Sequence, residues 1–180
     1  MDAITMIKER RSVSKDEKVD RETMREIVDI ARWAPSWVNY QIARYTLVDD
    51  EEIIKEIAEH GVNGFVYNID TLRTAKGVAV LSFVKGKSGT YDKEYITSKG
   101  NSWEVFDAGI ACQTFCLAAH AKGVGTCIMG VIDDKSIAKI VNLPEDETVA
   151  ALIVYGYEDG EHAAPNKRKD VDEIMRFVDR

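Results

Sequence analysis

The sequence has few cysteines and prolines, three of each among 180 residues, and it lacks long apolar segments. Because Cys112, Cys116 and Cys127 are odd in number and lie in apolar surroundings, they do not suggest a disulfide framework. No apolar run approaches the ~20 residues that a membrane-spanning helix needs, and the first residues show no signal-peptide pattern. These absences predict a cytoplasmic protein without a membrane partner.

Acidic residues outnumber basic ones, and the formal net charge is −7 at pH 7. Proteins that bind nucleic acids need a basic surface to displace the counterions of the phosphates, so this balance argues against a nucleic-acid partner. A local basic pocket is still compatible with it. The chain shows no repeat, low-complexity tract or linker, and 180 residues can bury one sizeable core, so we predict a single domain over residues 1–180.

Several catalytic motifs are also missing. No G-x-G-x-x-G follows a predicted strand, and the chain has no Walker loop, H-E-x-x-H or C-x-x-C. Cys112, Cys116 and His120 share a helical face, but the first and last lie ~12 Å apart along the helix axis, too far to bind one zinc ion together. Ser12 and Ser36 lack a nucleophile-elbow context. We therefore predict no metal site and no catalytic side chain, and a cofactor would carry any chemistry.

Hydrophobic periodicity predicts helices and strands that do not alternate regularly, which favours the α+β class. The predicted helices span residues 2–9, 20–34, 51–59, 103–122, 133–141 and 171–178, and the predicted strands span residues 44–49, 77–84, 126–129 and 148–157. Residues 61–76 show no clear pattern. Residues 85–102 are polar and contain glycines, which predicts a mobile excursion that could serve as a lid.

The segment from Pro35 to Gln41 is the most informative part of the chain. It predicts a short loop between a helix and a strand, opened by the proline and displaying the polar side chains of Ser36, Asn39 and Gln41. Neutral donors and acceptors at fixed positions suit the recognition of a planar heteroaromatic ring with a polar edge.

Basic residues at both ends of this acidic chain could bind a phosphate group. Arg10 and Arg11, followed by Ser12, combine bidentate guanidinium donors with a hydroxyl group, and Arg168 is flanked by two lysines. Each cluster alone is more often a solvated surface, and the sequence does not show that the two converge. Combined with the polar loop, they suggest a site for flavin mononucleotide (FMN).

The order of these motifs resembles that of the nitroreductase family of FMN-dependent oxidoreductases. The motifs that carry the resemblance are Arg10-Arg11-Ser12, Ala34-Pro35-Ser36-x-x-Asn39-x-Gln41, Asn68 ahead of the strand, Asp107 to Gln113, Leu117 to Cys127, Tyr155-Gly156-Tyr157 and Arg168. No single motif is specific, but their ordered succession over most of the chain is.

The resemblance implies a nitroreductase-like fold, in which helices flank a central, mostly antiparallel sheet. It also implies an intertwined homodimer with an FMN at each subunit interface, and a C-terminal tail, residues 165–180, that wraps around the partner. The implied reaction passes a hydride from NADH or NADPH through flavin N5 to an electron-poor small molecule, such as a nitroaromatic compound or a quinone.

The resemblance also assigns the residues that would bind FMN. They are Arg10, Arg11, Ser12, Ser14, Pro35, Ser36, Asn39, Gln41, Asn68, Met129, Gly130 and Arg168. The basic clusters and their serines would hold the phosphate, and the loop would reach the flavin of the partner subunit. Asn68 and Gln41 would contact the ring, and backbone amides at Met129 and Gly130 would approach N5, where a donor stabilises incoming electron density.

Two departures from the family pattern concern cations. Ser14 stands where the family usually has an arginine or lysine, with Lys15 next to it. Thr71 stands where many members have a lysine near the flavin, with Arg73 nearby. The sequence leaves open which cation takes over each role.

Other functions stay open at this point. The same superfamily includes dehalogenases and azoline dehydrogenases, and the motifs do not separate these reactions. A non-enzymatic flavin-binding or redox-sensing module, with the cysteines as sensors, is a further alternative. The apolar surroundings of Cys112 and Cys116 argue against reactive thiolates and therefore against the sensor.

Overall fold

A four-stranded antiparallel sheet forms the centre of the computed structural model, which describes residues 2–13, 17–157 and 164–178. Its strands are β1 (Ala43–Val48), β2 (Val78–Val84), β5 (Val124–Met129) and β6 (Glu147–Tyr157), paired in the order β1-β2-β6-β5. Two short strands, β3 (Thr90–Tyr91) and β4 (Glu94–Tyr95), form a separate hairpin. The strands predicted for the central sheet are confirmed, and so is their antiparallel arrangement.

Helices precede, connect and follow these strands, which confirms the α+β class. In the described residues they are α1 (Ala3–Glu9), α2 (Arg21–Ala31), α3 (Glu51–His60), α4 (Val66–Thr74), α5 (Ser102–Ala121), α6 (Asp134–Ile140) and α7 (Val171–Ile174). The side chains of Asp20, Asp50 and Asp133 accept hydrogen bonds from backbone N–H groups in the first turns of α2, α3 and α6. These aspartates are N-caps, and they explain why the sequence predicted these starts well.

The sheet lies between two layers of helices. On one face, Ala79 and Leu81 of β2 pack with residues of α2 and α5, including Phe115. On the other face, Val78 and Val80 pack with residues of α3, α4 and α6. Because successive strand residues point to opposite faces, a strand covered on both sides is apolar throughout, as the sequence of β2 is.

Helix α5 is the central helix that its apolar sequence predicted. Phe115 and Cys116 are fully buried, and Gly123, with a φ of 72°, follows its last turn. Its first half differs, because Val105 and Phe106 are exposed in the single chain. None of the helices in the described part of the chain is long and apolar enough to cross a membrane.

Two helices are shorter than predicted by more than two residues. Helix α2 ends at Ala31 and not at residue 34, and Trp33, expected at an apolar helix position, is 77% exposed. The residue before Pro35 is sterically disfavoured in the α conformation, so the chain leaves the helix earlier. Helix α7 covers Val171–Ile174 only, and residues 175–178 continue without helical structure.

Two segments without a clear sequence pattern form ordered elements. Helix α4 lies within residues 61–76 and has no side-chain cap, which explains why the sequence did not predict it. Residues 85–102 contain the β3–β4 hairpin, and Ser88 and Thr90 at its base are buried. The predicted excursion is therefore attached to the body of the protein, and its role as a lid stays a prediction.

Candidate functional site

The first group of predicted site residues lies where the chain leaves α1 beside strand β5. Ser12 pairs with Thr126 in an isolated parallel bridge, and the N–H of Val13 donates to the carbonyl oxygen of Thr126 at 3.0 Å. Arg10 follows α1 as its C-cap and is half-buried. The segment therefore runs along the outer edge of β5, with Ser12 exposed.

The two arginines of this segment differ in their surroundings. Nη1 of Arg11 donates to the carbonyl oxygens of Lys8 at 2.6 Å and Arg10 at 3.0 Å, and its Nε is buried, so its own chain encloses most of its guanidinium group. Arg10 makes no ion pair with a carboxylate of the described residues, and its charge acts on the thiols of all three cysteines, on α5 and β5. In the described part of this segment Arg10 is thus the cation available to a phosphate, whereas Ser14 and Lys15 lie outside the described residues.

Asn68 and the end of β5 form a second part of the site. Asn68 is 8% exposed, and its Nδ2 donates to the carbonyl oxygen of Val131 at 3.0 Å. Met129 is buried, whereas Gly130 is exposed, and a Cβ added there would have no contact within 4 Å. The structure therefore brings Asn68, Met129 and Gly130 together beside open space.

The loop from Pro35 to Gln41 is tightly folded. The hydroxyl oxygen of Ser36 accepts a hydrogen bond from the N–H of Gln41 at 2.8 Å, across the 3₁₀ turn of residues 37–39. Val38, Asn39 and Gln41 have φ angles of 44°, 56° and 50°. Non-glycine residues rarely adopt such angles, β-branched residues least of all, and backbone strain of this kind concentrates at functional sites. The exposed Asn39 and Gln41 are therefore held in defined positions.

Asp107 of α5 holds this loop, although the sequence pattern predicted no role for it. Its carboxylate is 3% exposed, and Oδ2 accepts hydrogen bonds from the N–H of Trp37 at 2.9 Å and the hydroxyl of Ser88 at 2.5 Å. The ring of Trp37 also packs against Trp103, with 4.8 Å between centroids. One carboxylate oxygen thus joins the polar loop to the base of the hairpin.

Glu104 attaches the hairpin in the same way. It is 4% exposed and accepts hydrogen bonds from the N–H of Gly86 at 2.5 Å and the hydroxyl of Tyr95 at 3.0 Å. A buried carboxylate is costly unless it is hydrogen-bonded. Two acids three positions apart, at the start of an otherwise apolar helix, were the sequence signal that could have revealed both contacts.

The structure does not unite all the predicted site residues within one chain. Arg168 lies in the exposed tail, where Nη1 donates to the carbonyl oxygen of Asn166 at 2.8 Å, and no described contact joins it to Arg10. The polar loop contacts α5 at Asp107, whereas the charge of Arg10 acts on Cys112 and Cys116, about 8 and 13 Å further along the helix axis. The polar loop and the phosphate residues are therefore separate groups in a single chain.

The cation considered for the position near the flavin ring has another partner. Nη1 of Arg73 lies 3.2 Å from Oδ1 of Asp70, and their side chains are 70% and 61% exposed. In the single chain Arg73 is therefore directed to Asp70, and a cation in place of the lysine missing at Thr71 stays a prediction. The ion pair itself is solvent-screened and contributes little to stability.

The cysteines are free thiols, and Cys112 and Cys116 are buried. The hydrogen bond with Cys116 and the loss of solvent raise the pKa of Cys112, and burial raises the pKa of Cys127. Raised pKa values keep these two thiols protonated, which makes them poor nucleophiles. Cys116 differs from the expectation, because the hydrogen bond with Cys112 lowers its pKa, although its side chain is fully buried. The described part of the chain has no cluster of three or more His, Cys, Asp or Glu residues that could hold a metal ion.

Comparison with known proteins assigns these elements to a family. A model of the nitroreductase family matches residues 7–157, from α1 to the end of β6. The chain belongs to the nitroreductase family. This membership confirms the resemblance that the ordered motifs indicated.

Nitroreductase family proteins of known structure share the whole fold. An FMN-dependent nitroreductase of Clostridium difficile R20291 is 27% identical, with a TM-score of 0.75 over 97% of this chain and 98% of that chain. A nitroreductase family protein of Streptococcus pneumoniae TIGR4 is 20% identical, with a TM-score of 0.82 over 97% and 99%. A relative found by sequence, an oxygen-insensitive NADPH nitroreductase of Helicobacter acinonychis, is 23% identical, over 75% of this chain and 76% of its own. The nitroreductase-like fold is therefore confirmed.

Proposed function

We propose that the protein is an FMN-dependent oxidoreductase that takes a hydride from NADH or NADPH and passes it to an electron-poor acceptor, such as a nitroaromatic compound or a quinone. Its family membership and relatives that are named FMN-dependent or NADPH nitroreductases support this function. The observation that carries the proposal is that two features lie along one strand, β5. They are the groups that can donate hydrogen bonds to a phosphate and an open space beside Asn68.

The residues along β5 fit the two ends of FMN. Ser12 pairs with Thr126, four residues before Gly130, which corresponds to roughly 13 Å along the strand. The ribityl chain between phosphate and ring is shorter than this distance, and the reach of the Arg10 and Ser12 side chains would cover the difference. Arg10 and Ser12 would bind the phosphate, Asn68 would contact the ring, and the backbone at Gly130 would approach N5. FMN, when bound, supplies the hydride transfer, and the protein orients the reactants and excludes water.

We also propose a homodimer in which each FMN lies between two subunits. Two copies could bring the polar loop of one chain to the phosphate residues of the other, which one chain keeps apart. A groove of about 320 Å³ beside α5, lined by Val105, Gly109 and Ile128 among others, offers an apolar surface for a second copy. Val105 and Ile128 are 59% and 45% exposed in the single chain, and large exposed apolar patches typically mark interfaces.

The C-terminal tail would wrap around the partner in this arrangement. Ile174 and Phe177 are 72% and 81% exposed in the single chain, which is costly for such large apolar side chains in water. Arg168, equally without a partner side chain in its own described chain, would reach the phosphate in the second subunit. The β3–β4 hairpin, attached to the same end of α5 as the polar loop, is the element that we propose as a lid.

Two alternatives share parts of this site. Dehalogenation or azoline dehydrogenation would use the same FMN contacts, and a flavin-binding module would need no acceptor. A redox sensor based on Cys112 or Cys127 is disfavoured, because hydrogen bonding and burial raise the pKa of Cys112 and burial raises that of Cys127. The hydrogen bond with Cys112 lowers the pKa of Cys116, but this thiol is fully buried and closed to solvent. A location in the cytoplasm stays a prediction.

The test is an absorbance spectrum of the purified protein, followed by anaerobic addition of NADH and NADPH in turn. We expect a flavin spectrum that bleaches with one or both nucleotides, and recovers when an acceptor is added. A colourless protein that takes up no added FMN would contradict the cofactor site. A flavin that stays oxidised with both nucleotides would contradict the NAD(P)H half of the proposal and favour a dehydrogenase or a binding module.

A further inference from the structure

A basic pocket lies between the end of the polar loop and the β3–β4 hairpin. It has a volume of about 360 Å³, and its walls include Tyr40 and Arg44 from the loop side and Lys87 and Lys93 from the hairpin side. Tyr40 is 43% exposed, so part of its ring faces solvent. Three cations and a tyrosine therefore line one pocket in a chain whose net charge is −7.

The positive charge of this pocket is only partly balanced. Asp92 is the acidic residue of its lining, and none of the three cations forms an ion pair with a carboxylate of the described residues. Nη1 of Arg44 donates to the carbonyl oxygens of Gln41 at 2.8 Å and Ala43 at 2.9 Å. These bonds fix the guanidinium group and leave its other N–H groups for a ligand. An anion would therefore meet a pre-positioned arginine.

An unusual turn of the hairpin places Lys93. Asp92 and Lys93 connect β3 to β4 with φ angles of 49° and 68°. A two-residue turn with two positive φ angles favours Asn-Gly or Asp-Gly, because a side chain strains the second position. The chain has a lysine there. Lys87 is held at the hairpin base, where its carbonyl oxygen accepts a hydrogen bond from the hydroxyl of Thr90 at 2.6 Å.

The basic pocket adjoins the polar loop of the proposed FMN site. A second pocket of about 260 Å³ is lined by Ser36, Gln41 and Asp107, and it shares Ile42 and Arg44 with the basic pocket. A ligand in the basic pocket would thus lie next to the residues that we assign to the flavin. Because Asp107 joins the loop to the hairpin, both walls of the basic pocket are attached to α5 at one point.

We propose that this pocket binds the anionic group, a carboxylate or a phosphate, of a small planar substrate that reacts at the flavin. This inference rests on the proposed function. Arginine binds carboxylate and phosphate oxygens bidentately, and Tyr40 offers an aromatic face to the ring that carries the anion. The volume suits a single substituted ring or one phosphate-bearing part of a nucleotide. The anion can therefore come from the acceptor or from the nucleotide reductant.

The test compares acidic and neutral substrates in a variant that lacks both lysine charges, Lys87→Gln with Lys93→Gln. The control is Lys99→Gln, an exposed lysine of the same segment that does not line the pocket. Para-nitrobenzoate and its neutral analogue para-nitrobenzamide serve as acceptors with NADH. We expect the KM for para-nitrobenzoate to rise about 3- to 30-fold in the double variant, as for the loss of two partly exposed charge contacts. The KM for para-nitrobenzamide should not change.

A parallel series with the neutral acceptor compares NADPH with NADH. A rise in KM for NADPH alone would support the inference and identify the additional phosphate of that nucleotide as the anion. If the double variant matches the Lys99→Gln control for para-nitrobenzoate and for NADPH, the inference is overturned.

Calorimetric titration of para-nitrobenzoate into the oxidised holoprotein separates this inference from the proposed function, because it needs no turnover. Affinity that falls in the double variant but not in the control would support the pocket even if no nucleotide reduced the flavin. Equal affinity in both variants, together with an unchanged KM for NADPH, would count against it even if the enzyme were fully active.

Discussion

Arg10 lies where the end of α1 meets α5 and β5. This position supports the role in phosphate binding that we propose for the motif Arg10-Arg11-Ser12. Its neighbour Arg11 has its guanidinium bonded to backbone carbonyl oxygens, so the two arginines are not equivalent. Ser12 adds a hydroxyl group on the edge of β5. At the residue scale, therefore, the proposed phosphate site depends on Arg10 more than on Arg11.

Replacement of Arg10 by glutamine should weaken FMN binding. A hydrogen bond to a charged group contributes about 1.5–3 kcal/mol, so we expect the Kd for FMN to rise roughly 10- to 100-fold. Flavin fluorescence quenching during titration of the apoprotein measures this directly. Lys8→Gln, which removes the same charge from the exposed surface of α1, is the control and should leave the Kd unchanged. An Arg10→Gln protein with normal FMN affinity would show that Arg10 is not a phosphate ligand.

At the scale of elements, the polar loop and the hairpin behave as one unit because Asp107 bonds to both. Trp37 supplies a backbone N–H from the loop and Ser88 a hydroxyl from the hairpin base. The two segments are far apart in the sequence, and neither would be positioned by local preference alone. Motion of the hairpin as a lid would therefore act on the loop that carries Ser36 and Asn39.

Substitution of Asp107 by alanine should loosen both segments. Each buried donor that loses its acceptor costs about 1–3 kcal/mol, so for two donors we expect the free energy of unfolding to fall by about 2–6 kcal/mol. Urea denaturation measures the total, and hydrogen exchange at the Trp37 amide reports the loop. Asp29→Ala removes an exposed carboxylate paired with Arg32 and should cost less than about 1 kcal/mol. Unchanged exchange at Trp37 in the Asp107→Ala protein would contradict the proposed coupling.

At the scale of the whole molecule, the layers of helices cover the sheet but leave the groove beside the first half of α5 open. Val105 and Ile128 line this groove and are exposed in the single chain. The polar loop and Arg10 lie at different parts of α5 and are therefore separated in the single chain. A second copy seated on the groove would account for both features.

The dimer predicts a specific effect of a charge in this groove. Val105→Glu would bury an unpaired carboxylate at a cost of roughly 3 kcal/mol or more, so the dimer Kd should rise at least about 100-fold. Analytical ultracentrifugation gives the oligomeric state, and the absorbance of the same sample gives the bound flavin, which should fall with the dimer. Ile30→Glu, at an exposed position of α2, is the control. A Val105→Glu protein that stays dimeric would place the interface elsewhere.

Local patterns predicted a large part of the fold. Aspartates at helix starts, apolar runs in strands and glycine at the end of α5 act through neighbouring residues, so the sequence displays them directly. Helix α4 and the hairpin were missed because distant groups stabilise them. Glu104 bonds to Gly86 and Tyr95, and the turn at Lys93 lacks the expected glycine.

The sequence by itself determined the α+β class, most of the helices and strands, and the types of residue that suit a flavin and its phosphate. It also indicated the nitroreductase family, through the order of the motifs. Only the tertiary structure decided that Asn68 lies beside Gly130, that Asp107 joins the loop to the hairpin, and that basic residues surround one pocket. The physical reason is that these contacts join residues far apart in the chain, whose proximity no local preference encodes.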